Sequence, residues 1–140
     1  MEKQPDATVD SVFGDLNDVY DAEWYADAVA WAYAAGVVTG DLNTKEFNPN
    51  TDITREQLSV MLYRYAQHKH YNTAKAKGFN GLDNAEAVSN WAADGMKWAV
   101  GNGIITGVDK DGVRDLAPQG DATRAQVATM VQRFCNGNNI

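Results

Sequence analysis

Residues 24–40 return as residues 91–107, and this internal duplication constrains the fold more than any other feature of the chain. At an offset of 67 residues Trp24 aligns with Trp91, Trp31 with Trp98, Gly36 with Gly103, Val37-Val38 with Ile104-Ile105 and Thr39-Gly40 with Thr106-Gly107. From Phe47-Asn48-Pro49 against Leu116-Ala117-Pro118 the offset becomes 69, so the second loop, 108–115, carries two additional residues. Loops are where insertions are tolerated. One copy alone would be marginal, whereas the full 140 residues suffice to bury a core if the halves pack together.

Each copy closes on the same element. Ile53-Thr54-Arg55-Glu56-Gln57 and Ala122-Thr123-Arg124-Ala125-Gln126 place a Thr three residues before a Gln, ahead of an apolar pattern of helical spacing. The Thr hydroxyl can then cap the helix while the Gln reaches back in a capping box. Arg55 and Arg124 fall on the first turn, where the positive end of the helix dipole disfavours a cation. That choice, made twice, suggests a use for the guanidinium; the alternatives are a solvated Arg copied by duplication, or one pairing with Asp15 or Asp18 of a neighbouring unit. The helix after Thr54 presents Leu58, Met61, Leu62 and Tyr65, and the helix after Thr123 presents Val127, Met130, Val131 and Phe134. These two helices are expected to pack on each other through Leu58, Met61, Leu62, Val127, Met130 and Val131.

The remainder divides accordingly: a polar tail (1–12), a first repeat (13–69), a linker (70–78), a second repeat (79–136) and a short tail (137–140). In the first repeat, Phe13-Gly14-Asp15 opens a turn-rich passage in which Asp18 or Asp21 is expected to cap a helix running from Trp24 to Gly36. Trp24 and Trp91 begin apolar helix faces and suit core packing; Trp31 and Trp98 read as core. The fold predicted is mostly α, built of tandem helical repeats.

Composition excludes several functions. A net charge of −7 with no clustered Lys and Arg does not suit a nucleic-acid surface. No run of apolar residues reaches membrane-spanning length, so membrane insertion is not expected, and Met1-Glu2-Lys3-Gln4-Pro5-Asp6 lacks the apolar core of a signal peptide. Cys135 stands alone, and with His68 and His70 it cannot build a zinc site. Asp109-Lys110-Asp111-Gly112 with Asp115 resembles a calcium loop in composition but lacks the remaining ligands, so it reads as a solvated turn and no metal is expected. No Ser, Cys or carboxylate pair has a spacing suited to nucleophilic or acid/base work, so neither catalysis nor a cofactor is expected.

The ordered series Phe-x-Asp, Trp-Tyr or Trp-Ala, an Ala-rich helix, Gly-Val or Gly-Ile, Gly, Phe-x-Pro and Ile-Thr-Arg resembles the S-layer homology domain, over residues 13–69 and 79–136. Both copies end the family's Thr-Arg-Ala-Glu element in Gln, at Gln57 and Gln126, and the second Phe-x-Asp is blurred in Phe79-Asn80-Gly81-Leu82-Asp83. The resemblance implies a pseudo-symmetric array in which the first helix of each repeat is a prong and the second, capping-box helix joins a central bundle. It implies an extracellular, wall-associated module with grooves that bind an anionic, often pyruvylated, secondary cell wall polysaccharide of a Gram-positive-type envelope. By position, Arg55 and Arg124 would hold the anion, with Trp24 and Trp91 facing sugar and the backbone near Gly40 and Gly107 in support. A structural or adhesion module using the grooves for protein contacts is the alternative. Family members usually have three units, so a homo-oligomer, or a further repeat of the full-length protein, would complete the bundle.

Overall fold

The computed structural model describes residues 16–140; the tail 1–12 and the Phe13-Gly14-Asp15 opening lie outside the described residues. Within them the chain forms α1 (Ala26–Ala34), α2 (Arg55–His68), α3 (Ala93–Gly101), β1 (Val108–Lys110), β2 (Val113–Asp115) and α4 (Arg124–Gly137). Short 3-10 turns at Ala85–Ala87 and Asn90–Ala92 lead into α3. The fold is therefore mostly helical, with one small sheet. Two compact units emerge, one ending at Thr51 and the other spanning Asp52–Ile140. The sequence repeats do not coincide with them: α1 belongs to the first unit, while α2, from the same copy, belongs to the second.

In the first unit Leu16, Val19, Ala26, Val29 and Ala30 form a small core, with Tyr25, Tyr33 and Phe47 packed against it. Neither Asp18 nor Asp21 caps α1, which begins after Tyr25 with no side-chain cap. Asp18 is committed elsewhere, its two carboxylate oxygens accepting the N–H groups of Phe47 and Asn48 at 2.7 Å each. This fixes the turn that delivers Phe47 to the core. The following loop is closed by Asp41, whose backbone N–H donates to Glu46 O at 2.8 Å. Its carboxylate accepts from Thr44 and Asn43 N–H, which holds it below the usual carboxylate range.

The second unit contains the larger core, and here the expected pairing of α2 with α4 through Met61 and Val131 is corrected. The main helix pair is α2 with α3. Gly95 allows it, because a Cβ there would stand 3.2 Å from the Cα of Val60, too close for most side chains. Leu58 and Val60 from α2, Met96 and Trp98 from α3, and Met130 and Phe134 from α4 meet in one cluster, with Leu62 and Val127 against it. Val131 is exposed, and Met61 is half-buried outside the cluster. The buried stripe of α2 is thus turned toward Ser59 and Val60, away from Met61. Trp98 is core, 2% exposed, with ring contacts to Tyr63 and Phe134. The 70–78 stretch is strapped along α3 by Lys77 N–H to Lys97 O and Asn102 Nδ2 to Lys75 O, both 3.0 Å.

The two additional residues of the second copy change its loop from a turn into a β-hairpin. β1 and β2 pair antiparallel, with Asp109 opposite Arg114 and Val108 opposite Asp115. Asp111 and Gly112 both have positive φ, 54° and 82°, the pattern of a two-residue turn matched to strand twist. Asp109 Oδ1 accepts the Gly112 N–H at 3.1 Å, so this carboxylate braces the turn.

Candidate ligand-binding groove

Both capping boxes form. Thr54 Oγ1 accepts from Gln57 N at 3.2 Å while Gln57 Oε1 accepts from Thr54 N at 2.9 Å, and Thr123 with Gln126 repeats the pattern. Over the start of α2 lies the 117–120 loop of the second copy. Arg55 N–H donates to Gly120 O at 3.0 Å and Glu56 N–H to Pro118 O at 2.9 Å. First-turn N–H groups that a bare helix end would offer to an anion are here spent on protein carbonyls, leaving the guanidinium as the donor that Arg55 presents to the cavity.

Glu56 completes this junction. It is 3% exposed and accepts from Ser89 Oγ at 2.8 Å, Ser89 N at 3.1 Å and Gln119 Nε2 at 3.3 Å, tying α2 to the turn before α3 and to the loop. Sequence reasoning missed it, since a Glu on a first helical turn is ordinary surface chemistry; the signal available was its replacement by Ala125 in the other copy.

Arg55 is only 6% exposed, and its Nε has no hydrogen-bond partner. Desolvation lowers its pKa from the usual Arg value, while the Asp115 carboxylate pulls it back up. Asp115 is itself buried and accepts from Asn84 Nδ2 at 2.9 Å and Ala117 N at 2.8 Å. Those two bonds, with Lys110 Nζ at 3.9 Å and the Arg55 charge, hold it below the usual carboxylate range against its own desolvation.

Arg55 faces a cavity of about 360 Å³. One wall is the run 104–107, another is the hairpin with Asp109 and Arg114, and a third is α4 with Gln126, Thr129 and Arg133. Arg133 Nη1 donates to Ile104 O at 3.2 Å and so holds the 104–107 wall. Arg114 Nη1 reaches Thr106 O and Gly107 O at 3.4 and 3.5 Å, near the outer limit of hydrogen bonding. Gly107, at φ 88°, must lack a side chain: a Cβ would meet Leu82 Cδ2 at 2.9 Å and Arg114 Cβ at 3.3 Å. Three guanidinium groups against one facing carboxylate make this a positive recess on a chain of net charge −7.

Of the residues singled out from the sequence, the structure brings Arg55 and Gly107 together here. Arg124 is exposed at the start of α4 and does not line the cavity. Gly40 belongs to the first unit, at φ 66°, where an added Cβ would clash with Leu16. Trp24 is 92% exposed and Trp91 57%, so the expected core packing of both is corrected. Each precedes its α-helix rather than starting the buried stripe, and Ala26 and Ala92 take the inward positions. Arg114, Arg133, Asp109, Gln126 and Thr129 were not foreseen as lining residues. Among the described residues, no group of His, Cys, Asp and Glu could hold a metal ion, and no helix is long and apolar enough to cross a membrane.

The family model described as the S-layer homology domain matches residues 15–59 and again 85–128. The chain belongs to the S-layer homology domain family. Both matches contain the Thr-Arg element and the Gly that precedes the loop. Among curated proteins, this S-layer homology chain is 32% identical over 127 residues to the Exoglucanase XynX of Acetivibrio thermocellus, covering 90% of the chain and 11% of that protein. It is 34% identical over 122 residues to an Amylopullulanase of Thermoanaerobacterium thermosulfurigenes, covering 84% of the chain and 6% of that protein. It is 30% identical over 125 residues to the Surface-layer 125 kDa protein of Lysinibacillus sphaericus, covering 86% and 10%. The chain thus spans about a tenth or less of these relatives, and the matched segment is a small separate part of proteins with different names. No solved structure matches it at comparable stringency.

Proposed function

We propose that this chain is a non-catalytic anchoring module that holds the protein carrying it at the bacterial cell surface, by binding an anionic, pyruvylated secondary wall polysaccharide in the groove over Arg55. The observation that carries the reading is Arg55 itself. Burying an Arg to 6% exposure is costly, and one whose Nε lacks a protein partner while it faces an open, cation-rich cavity is suited to an incoming oxyanion. Occurrence of the same segment in a surface-layer protein and in proteins named as polysaccharide-degrading enzymes supports a shared attachment role. The repeats would act as prong and bundle pairs in which one groove needs walls from two successive copies: here Arg55 comes from the first, and the 104–107 wall and hairpin from the second.

Sedimentation of the chain with purified Gram-positive-type walls, before and after chemical removal of the secondary polymer, tests this. Binding lost with the polymer and lost again in Arg55→Gln is expected; undiminished binding to stripped walls would replace the reading with a protein or peptidoglycan contact. One observation favours the second reading, an assembly module with protein partners: the first turn of α4, with Arg124 and Ala125, is exposed where its counterpart in α2 is covered by a loop. A further repeat or a second copy of the chain would be the partner.

A further inference from the structure

We infer that the groove takes a saccharide bearing two anionic groups, with Arg55 receiving the inner one and Arg114 the outer one, so that Arg114 is the specificity-determining residue of the site. This rests on the wall-polymer reading and extends it. The three guanidinium groups facing the cavity are not equivalent. Arg133 is committed to Ile104 O at 3.2 Å and serves as a strut. Arg55 is fixed on the floor by the loop that covers its backbone. Arg114 is exposed at the rim, and its two long bonds to Thr106 O and Gly107 O are readily exchanged for an oxyanion. Two available guanidinium groups at different depths provide for two charges, where a singly charged sugar would use one.

Arg114 owes this position to the hairpin. Its pairing with Asp109 fixes its register, and the missing side chain of Gly107 makes room for its stem. In the first copy the aligned residue is Lys45, at φ 58° in a loop two residues shorter, with its backbone bonded to Asp41 and Asn17. The dianion preference is therefore a property of the second copy. Asp109, opposite Arg114, opposes it: as a carboxylate on the groove wall it competes with ligand for that guanidinium.

Calorimetric titration of the full chain with two synthetic probes tests this: an amino sugar carrying one pyruvyl ketal carboxylate, and the same sugar carrying a phosphate monoester in addition. Arg114→Gln should weaken binding of the doubly charged probe about tenfold or more, the lower end for a charge-assisted bond, and move the singly charged probe by less than about twofold. Asp109→Asn, which retains the Oδ1 acceptor for Gly112, should tighten the doubly charged probe severalfold. Arg55→Gln should weaken both. If Arg114→Gln leaves the doubly charged probe unchanged, or weakens both probes alike, the two-charge assignment falls while the wall-binding reading stands. If Arg55→Gln changes neither probe, the wall-binding reading falls with it.

Discussion

The starts of α2 and α4 carry the same capping box and the same Thr-Arg dipeptide, yet one is among the most buried places in the second unit and the other is open. At α2, Arg55 and Glu56 are 6% and 3% exposed, and their N–H groups are bonded to the loop at Pro118 and Gly120. At α4, Arg124 and Ala125 are exposed. Duplication copied the local chemistry, since a capping box needs only residues three apart. It could not copy the neighbour. What makes Arg55 a candidate for binding is the next copy folding over it, with the 117–120 loop on its backbone and the 104–107 run beside it.

The largest consequence concerns the core. Met130 of α4 is 3% exposed within the main cluster, while Met61 of α2 lies half-buried outside it. Met130→Ala should cost about 2–5 kcal/mol in chemical denaturation, and Met61→Ala less than about half as much, because the cavity left behind at Met61 opens toward solvent. Equal losses would mean that α2 presents the face expected from periodicity after all.

Next in size is binding. Arg55→Ala should cost about 1.5–3 kcal/mol of affinity for a carboxylated wall fragment, the range for a hydrogen bond to a charged group, whereas Arg124→Ala should leave affinity within about twofold. Titration of both variants under one salt condition decides it. If loss follows Arg124 instead, the seat of binding is the open helix start and the groove is not the site.

These contrasts also mark what was legible in the sequence. Helix existence, the capping boxes and the position of Arg55 follow from local chemistry, and the offset change from 67 to 69 pointed to the loop that became the hairpin. Partner choice did not follow, because Leu58, Met61 and Leu62 offer an apolar face to α3 or α4 alike, and Gly95, the residue that admits α3, looks like an ordinary helix weakness in sequence. Glu56 and Asp115 were hidden for a related reason. Their burial depends on contacts to Ser89, Gln119 and Asn84, between roughly thirty and sixty residues away.

The caps themselves should differ modestly. Thr54→Ala should lose about 1 kcal/mol of global stability, as for a typical N-cap. Thr123→Ala should lose less than about half of that, since the open α4 start can fray and let water satisfy the freed N–H of Gln126. Thermal melts would resolve the pair, and a larger loss at Thr123 would show that the α4 start is covered in solution.

The smallest effect is confined to acid. The Asp115 carboxylate is held below its unfolded pKa first by Asn84 Nδ2, then by Ala117 N–H, with help from Lys110 and Arg55. A depressed carboxyl pKa stabilises the folded state above the unfolded value, near 4, and that contribution disappears as pH falls through the lower folded value. Stability should therefore be flat with respect to this group from neutral pH down to about 4 and decline below it. Asp115→Asn removes the titration, so its melting temperature should fall less steeply than that of the parent over this acid range, whatever offset the substitution introduces at neutral pH. Parallel acid limbs for Asp115→Asn and the parent would show that Asp115 is no better bound in the folded chain than in the unfolded one.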